Sequence, residues 1–207
     1  MRMKQPPMKK PNPFRVARYV LSAHHLRQLP ADQGIEVAIA GRSNAGKSSA
    51  INTFTDQKSL ARTSKTPGRT QQIVIFEIDE ARRIADLPGY GYAKVPAGVR
   101  RQWGPMIETY LTQRRCLRGL ILIVDIRRTP GQEEETLLHW LDHHGIACRI
   151  VATKADKLSR NKQIRPARQI AAKLALGEDE LLLFSAKSGL GLTAVWDHIE
   201  EMLGSSS

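Results

Sequence analysis

Cysteine is scarce in this chain of 207 residues, and it has no long apolar run. Two cysteines, Cys116 and Cys148, are too few for a disulfide framework, and their spacing does not fit a thiolate zinc site. The longest apolar stretch, around residues 120–124, is far shorter than the roughly 18 residues of a membrane-spanning helix. We therefore expect reduced thiols, a cytoplasmic location and no membrane contact.

Acidic residues are missing from three segments, so positive charge is concentrated there. The net charge is +12, and residues 1–30 contain seven basic residues and no acidic residue. Residues 58–71 and 157–173 are also free of acid and contain four and six basic residues. A solvated surface is one explanation, but this distribution is typical of proteins that bind a polyanion, and we predict a nucleic-acid partner.

The order of apolar runs along the chain predicts one α/β domain. Residues 1–18, rich in proline and basic residues, are predicted to form a flexible N-terminal arm, residues 19–203 the domain, and residues 204–207 a short tail. Short apolar strands alternate with helical segments, and the last two helices are predicted over 166–176 and 193–202. This pattern indicates three layers, with helices on both faces of a mostly parallel six-stranded sheet.

A glycine-rich loop follows the first strong strand signal. Residues 41–48 read GRSNAGKS, which fits the phosphate-binding pattern G-x-x-x-x-G-K-[ST] between a strand and a helix. Gly41 and Gly46 allow the backbone N–H groups to turn toward phosphate, and Lys47 would reach the β- and γ-phosphates. The Ser48 hydroxyl would bind Mg²⁺. The loop predicts binding of a nucleoside triphosphate.

Another motif follows a later strand and concerns the γ-phosphate. Residues 86–89 read DLPG, in which the Asp86 carboxylate can hold the Mg²⁺ shell and the Gly89 N–H can sense the γ-phosphate. This pattern is weak by itself. Its position after a strand and downstream of the phosphate loop makes it informative.

Two further motifs predict that the base is guanine. Residues 153–156 read TKAD and residues 185–187 read SAK, and each follows a predicted strand. The two oxygens of Asp156 can accept from the ring N1–H and the exocyclic amine of guanine, donors that adenine lacks. Lys154 would lie over the purine, and the Ala186 N–H would donate to the guanine O6.

With these motifs in order, the chain resembles the YihA/YsxC/EngB family of ribosome-assembly GTPases within the TrmE–Era group. The stretches that resemble the family are IEVAIAGRSNAGKSS, SLARTSKTPGRTQ, DLPGYGYAKVP and TKADKL, and with RYVLSAHHLRQLP they cover about residues 19–190. The resemblance implies a P-loop GTPase fold, Mg²⁺-dependent hydrolysis of GTP to GDP and phosphate, and a role in ribosome biogenesis and cell division. It also implies binding of ribosomal RNA and precursors of the large subunit by a monomer.

The resemblance assigns residues that the motifs alone do not. It implies that Thr70 meets Mg²⁺, with Thr66 as the alternative, and that the metal set is Ser48, Thr70 and Asp86. Thr153 occupies the position of the usual asparagine, which puts its contact with the phosphate loop in doubt. The nucleotide contacts implied in full are Gly41, Arg42, Ser43, Asn44, Ala45, Gly46, Lys47, Ser48, Ser49, Gly68, Arg69, Thr70, Gln71, Gln72, Asp86, Leu87, Pro88, Gly89, Thr153, Lys154, Ala155, Asp156, Phe184, Ser185 and Ala186.

The catalytic residues differ from the common pattern. Tyr90 follows Gly89, at the position where Ras-like enzymes have the glutamine that orients water, so we expect slow intrinsic hydrolysis. Lys47, Gly89 and Asn44 are the predicted catalytic residues. By resemblance, Asn44 would help to hold K⁺ near the phosphates, although asparagine also suits a tight turn.

Two other functions and two other sites stay open at this point. The chain could be a P-loop ATPase, or an RNA-binding assembly factor in which nucleotide is only a structural ligand. His139 and His143, one helical turn apart, could bind zinc but also suit a helix C-terminus. Tyr90, Tyr92 and Trp103 could form a docking surface, although packing is the commoner role of such residues.

Overall fold

A central sheet and the helices on its two faces account for the part of the chain that the computed structural model describes, residues 11–62, 72–90, 106–177 and 179–204. The strands are β1 (Arg18–Ala23), β2 (Ile35–Gly41), β3 (Ile73–Glu77), β4 (Arg82–Asp86), β5 (Leu117–Asp125), β6 (Ala147–Thr153) and β7 (Leu181–Leu183). The helices are α1 (Lys47–Phe54), α2 (described over 106–113), α3 (Gln132–His143), α4 (Arg160–Lys173) and α5 (Leu192–Leu203), with 3₁₀ turns at Leu26–Gln28 and Ala155–Lys157. Within these ranges, no helix is long and apolar enough to span a membrane.

The sheet has seven strands in the order β1-β3-β4-β2-β5-β6-β7, one more than the six predicted. The pairs from β4 to β7 are parallel, whereas β3 pairs antiparallel with both β4 and β1. The extra strand is β1, whose Arg18 lies opposite Glu77 at the edge of the sheet. Its residues pair with residues 50–59 positions later, so local sequence patterns did not identify it.

Two hydrophobic clusters fill the space between the sheet and its helices. On one face, Ile51 and Phe54 of α1 pack with Trp196 and Ile199 of α5. On the other face, β5 packs against α2, α3 and α4. Tyr110 of α2 is fully buried there and is one of the largest side chains in this cluster. The predicted three-layer α/β architecture is therefore confirmed. It places the ends of β2, β4, β5 and β6 along one edge of the sheet.

Two predicted boundaries differ from the structure. The described part of the predicted arm is docked, because Phe14 is fully buried in the core and the Gln57 amide donates to the carbonyl of Ala17 at 2.6 Å. Residues 1–10 lie outside the described residues. Helix α4 begins at Arg160 rather than at Pro166, because the Ser159 carbonyl accepts from the Lys162 N–H at 2.8 Å and starts the first turn.

Candidate nucleotide-binding site

The phosphate loop connects β2 to α1 and requires unusual backbone conformations. Gly46 has φ +101°, and a Cβ at this position would lie 3.3 Å from Thr153 Oγ1, so glycine is needed for both reasons. Asn44 has φ +66°, a left-handed conformation that asparagine adopts more readily than most residues. The exposed Asn44 therefore has a structural role in the turn, and its role in holding K⁺ stays a prediction.

Lys47 and Asp86 meet in front of this loop. Lys47 is the first residue of α1, Asp86 is the last residue of β4, and their side chains form a direct ion pair. Burial raises the pKa of the Asp86 carboxyl group, and the neighbouring Lys47 ammonium group acts in the opposite direction. The structure thus brings together the predicted phosphate-binding lysine and the predicted Mg²⁺-shell carboxylate.

The segment after Asp86 runs directly along the phosphate loop. The Ser43 N–H donates to the Tyr90 carbonyl at 2.9 Å, and the Leu87 N–H donates to the Ile39 carbonyl at 2.9 Å. A Cβ on Gly89 would lie only 3.1 Å from Ser43 Oγ, so a larger residue would push the two segments apart. Any displacement of this segment therefore acts on the loop that holds the phosphates.

Thr153 joins the end of β6 to the phosphate loop. Its hydroxyl group contacts the Ala45 carbonyl as donor and lies 3.0 Å from the Val124 carbonyl. The side chain is buried. Thr153 therefore does contact the phosphate loop, although it stands where asparagine is usual, and it does so through its hydroxyl group.

Lys154 bridges the base side and the phosphate side of the site. Its ammonium group donates to the Asn44 carbonyl at 2.6 Å and lies 2.9 Å from a carboxylate oxygen of Asp125. Burial opposes ionisation of Asp125, but hydrogen bonds from Arg127 and Lys154 outweigh it and lower the pKa of this carboxyl group well below its usual range. Asp125 was not among the predicted site residues, although an acid at the end of an apolar strand was a signal for it.

Asp156, predicted to recognise the base, is hydrogen-bonded to Ser185. The Ser185 hydroxyl donates to Asp156 Oδ1 at 2.7 Å and accepts from the N–H groups of Lys187 and Ser188, each at 3.2 Å. This hydrogen bond is the main cause that lowers the pKa of Asp156, so the carboxylate is ionised and oriented. Ala186, whose N–H is predicted to donate to the base, is exposed beside it. Ser185 therefore acts by positioning Asp156.

The loops that hold this pair are fixed to each other by backbone hydrogen bonds. The Ala155 N–H donates to the Phe184 carbonyl at 3.1 Å, and the Phe184 ring packs edge-on against Phe54 in the core. Both Ala155 and Phe184 are fully buried. Ala155 and Phe184, both predicted to contact the nucleotide, therefore lie in the core and hold together the loops of Asp156 and Ser185.

Several predicted site residues have side chains directed elsewhere or lie outside the described ranges. The Arg42 guanidinium group pairs with Glu133 at 2.6 Å and Glu134 at 3.3 Å, at the start of α3. Gln72 contacts His24 at the same edge of the sheet as Asp86. Tyr90, which could have formed part of a docking surface, is buried instead. Ser48 and Ser49 lie in the first turn of α1, and Pro88 lies in the segment after Asp86, as predicted. The residues predicted at Thr66, Gly68, Arg69, Thr70, Gln71, Tyr92 and Trp103 lie outside the described ranges.

Comparison with known proteins identifies what this arrangement belongs to. A family model described as "50S ribosome-binding GTPase" matches residues 36–154. The chain is 47% identical over 187 residues to "Probable GTP-binding protein EngB" of Geobacter sulfurreducens, covering 90% of this chain and 91% of the relative. It is 53% identical over 169 residues to the protein of that name in Syntrophus aciditrophicus, covering 82% and 86%. This chain belongs to the EngB family of GTP-binding proteins. It binds GTP and GDP and hydrolyses GTP.

Solved structures agree with the EngB assignment at the level of the fold. A crystal structure of a probable GTP-binding protein EngB matches with a TM-score of 0.67 at 24% identity, covering 81% of this chain and 98% of that one. A structure of Aquifex aeolicus Era bound to GDP and AlF₄⁻ matches with a TM-score of 0.65 at 20% identity, covering 84% and 58%. The EngB family assignment favours guanine over adenine and thus a GTPase over an ATPase, as Asp156 predicts.

Proposed function

We propose that this EngB-family GTPase uses its nucleotide state to control binding to precursors of the large ribosomal subunit in the cytoplasm, acting as a monomer. The main support is the contact between the phosphate loop and the segment after Asp86, in which the Ser43 N–H donates to the Tyr90 carbonyl. The presence or absence of a γ-phosphate would act on this contact and so on the residues that follow it.

The partner is proposed from charge and from the family. The family model carries the description "50S ribosome-binding GTPase", and positive charge lies in acid-free segments of this chain. Proteins that neutralise phosphates with lysine and arginine gain affinity by releasing counterions. Ribosomal RNA supplies phosphates of this kind.

The metal proposal rests on the donor chemistry of the site. Mg²⁺ prefers oxygen ligands and is bound by few protein groups together with the phosphates of the nucleotide. The Asp86 carboxylate, buried at the end of β4, and the Ser48 hydroxyl at the start of α1 are donors of this type, and they fit the ion. When bound, Mg²⁺ neutralises charge on the phosphates. K⁺ at Asn44 is a further proposal.

Co-sedimentation with large-subunit particles at fixed salt tests the switch. We expect tighter binding with a non-hydrolysable GTP analogue than with GDP, and a steep loss of binding as salt is added. Neutralising Arg62 and Lys65, basic residues of the acid-free segment 58–71 that also contains Thr70, should mainly remove the difference between the two states. Equal affinity in the two states would contradict the switch. Single-turnover hydrolysis with and without particles tests whether the nucleotide is only a structural ligand.

A further inference from the structure

Helix α4 has a cluster of exposed positive charge without acidic partners. Arg160, Lys162, Arg165 and Arg168 are all exposed, and α4 contains no acidic residue. Within the described part of the chain, none of these four side chains has an ion-pair partner within 4.0 Å. Their charges therefore add to one another at the surface instead of being neutralised locally.

Some cations on the surface of the described residues are paired with an acidic residue. Arg18 lies 2.6 Å from Glu77, Arg82 lies 2.6 Å from Asp79, and even Lys173, in the last turn of α4, lies 2.6 Å from Glu135. Exposed cations without an ion pair also occur elsewhere in the described ranges, among them Arg27, Arg118 and Arg128, but they are spread along the chain. The start of α4 has four such cations within nine residues, which concentrates positive potential there for a polyanion.

The helix presents these charges in a fixed orientation. Gln163 and Ile170 are buried, and at 3.6 residues per turn Arg165 and Arg168 lie on the opposite side of the helix. The nine residues from Arg160 to Arg168 span about 12 Å, since the eight steps between them rise 1.5 Å each. A surface of this length can meet several phosphate groups at once.

The first turn of α4 is anchored to the base-recognition loop. The Gln163 side-chain amide donates to the Ala155 carbonyl at 2.9 Å and to the Leu158 carbonyl at 3.1 Å. Ala155 precedes Asp156, the residue predicted to recognise the guanine that GTP and GDP share. The difference between the two nucleotides arises at the phosphate loop instead, so α4 should keep one position in both states.

We propose that the basic face of α4, formed by Arg160, Lys162, Arg165 and Arg168, binds the phosphate backbone of RNA in both nucleotide states. The proposal rests on the proposed function for the choice of RNA as partner, and it adds a fixed contact that does not switch. An anionic membrane is less suitable, because an interfacial helix inserts an apolar face. The exposed large apolar residue on α4 is Ile164, and the apolar side of the helix lies in the core.

The test compares two full-length double variants that lose the same charge. R165Q/R168Q removes unpaired cations from α4, and the matched control R82Q/K173Q removes two paired ones. Binding to a transcript of large-subunit ribosomal RNA is measured with GDP and with a GTP analogue over a series of salt concentrations. Vesicles of phosphatidylserine and phosphatidylcholine in equal parts serve as the second probe. Thermal unfolding of each variant establishes that it is folded.

We expect R165Q/R168Q to weaken RNA binding about tenfold or more in both nucleotide states and to reduce the salt slope by about 1.4–1.8 units. The control and R165K/R168K should bind RNA nearly as the natural protein does. Equal weakening by the control, an unchanged salt slope, loss of binding in R165K/R168K, or an effect confined to vesicles would overturn the proposal. If the natural protein binds particles equally in both nucleotide states while R165Q/R168Q still weakens RNA binding, the proposed switch is wrong and the proposed RNA-binding face of α4 is supported.

Discussion

The ammonium group of Lys47 pairs directly with the carboxylate of Asp86, joining the first residue of α1 to the last residue of β4. The two side chains retain only 13% and 11% of their exposure, so each charge depends on the other for compensation. The same two groups are those predicted to meet the phosphates and the Mg²⁺ shell. The pair therefore holds the charges of the site in place.

Breaking this pair from one side should destabilise the protein. Lys47→Met leaves the buried Asp86 carboxylate unpaired, and we expect a loss of about 3–5 kcal/mol in the free energy of unfolding. Adding Asp86→Asn should restore most of that loss, while GTP hydrolysis stays abolished in both variants. Urea unfolding without added nucleotide measures the effect, and a double variant as unstable as Lys47→Met would contradict it.

Base choice should depend on Asp156. Asp156→Asn should weaken GTP binding at least about tenfold, because each hydrogen bond to a charged group contributes about 1.5–3 kcal/mol. The same variant should admit xanthosine triphosphate, whose C2 oxygen is an acceptor. Competition binding with GTP, xanthosine triphosphate and ATP measures this, and tight binding of ATP by the natural protein would refute the role of Asp156.

The hydroxyl group of Thr153, and not its methyl group, should stabilise the phosphate loop. Thr153→Val keeps the shape but leaves the buried Ala45 carbonyl without its donor, at a cost of about 1–3 kcal/mol in stability. Thr153→Ser retains the donor and is the matched control. Thermal unfolding and GDP affinity report the effect. If valine and serine behave alike, the contact does not stabilise the loop.

The stability of the protein toward acid should depend on Asp125. Hydrogen bonds from Arg127 and Lys154 lower its pKa in the folded state, so the unfolded state takes up the proton first as the pH falls. Its stabilisation is thus complete above the ordinary aspartate pKa of about 3.9 and is lost as the pH falls from there toward the folded value. Asp125→Asn should lower the unfolding temperature at pH 7 and flatten its decline between about pH 5 and 3. An unchanged acid slope would contradict this.

Hydrolysis should be slow without a glutamine after Gly89. We expect intrinsic turnover of at most about 10⁻² per second, the scale of unassisted switch GTPases. If Asn44 helps to hold K⁺, turnover should be faster in K⁺ than in Na⁺, and Asn44→Ala should remove the difference. Since the alanine also strains the left-handed turn, Asn44→Gly is the control that keeps the backbone conformation. Equal rates in the two salts would exclude the cation.

Much of the site could be predicted from spacing along the chain. The phosphate loop lies within eight consecutive residues, and its function depends on backbone N–H groups, one lysine and one hydroxyl group in a local turn. Asp86, Asp156 and Ala186 were found in the same way, because each lies at or just after the end of a strand and the ends of parallel strands share one edge of the sheet. The alternation of strands and helices was likewise a local property.

The remaining features needed contacts between distant parts of the chain. Thr153 reaches the Ala45 carbonyl across 108 positions, Lys154 is held by Asp125, and β1 pairs with β3. Phe14 is buried near a segment whose Ala17 carbonyl accepts from the Gln57 amide, and the Gln163 amide joins the first turn of α4 to the Ala155 carbonyl. A local pattern specifies which groups a segment offers. Which partner a buried hydrogen bond or charge finds depends on the packing of the whole sheet, because leaving such a group unpaired is costly and the fold is the arrangement that pairs it.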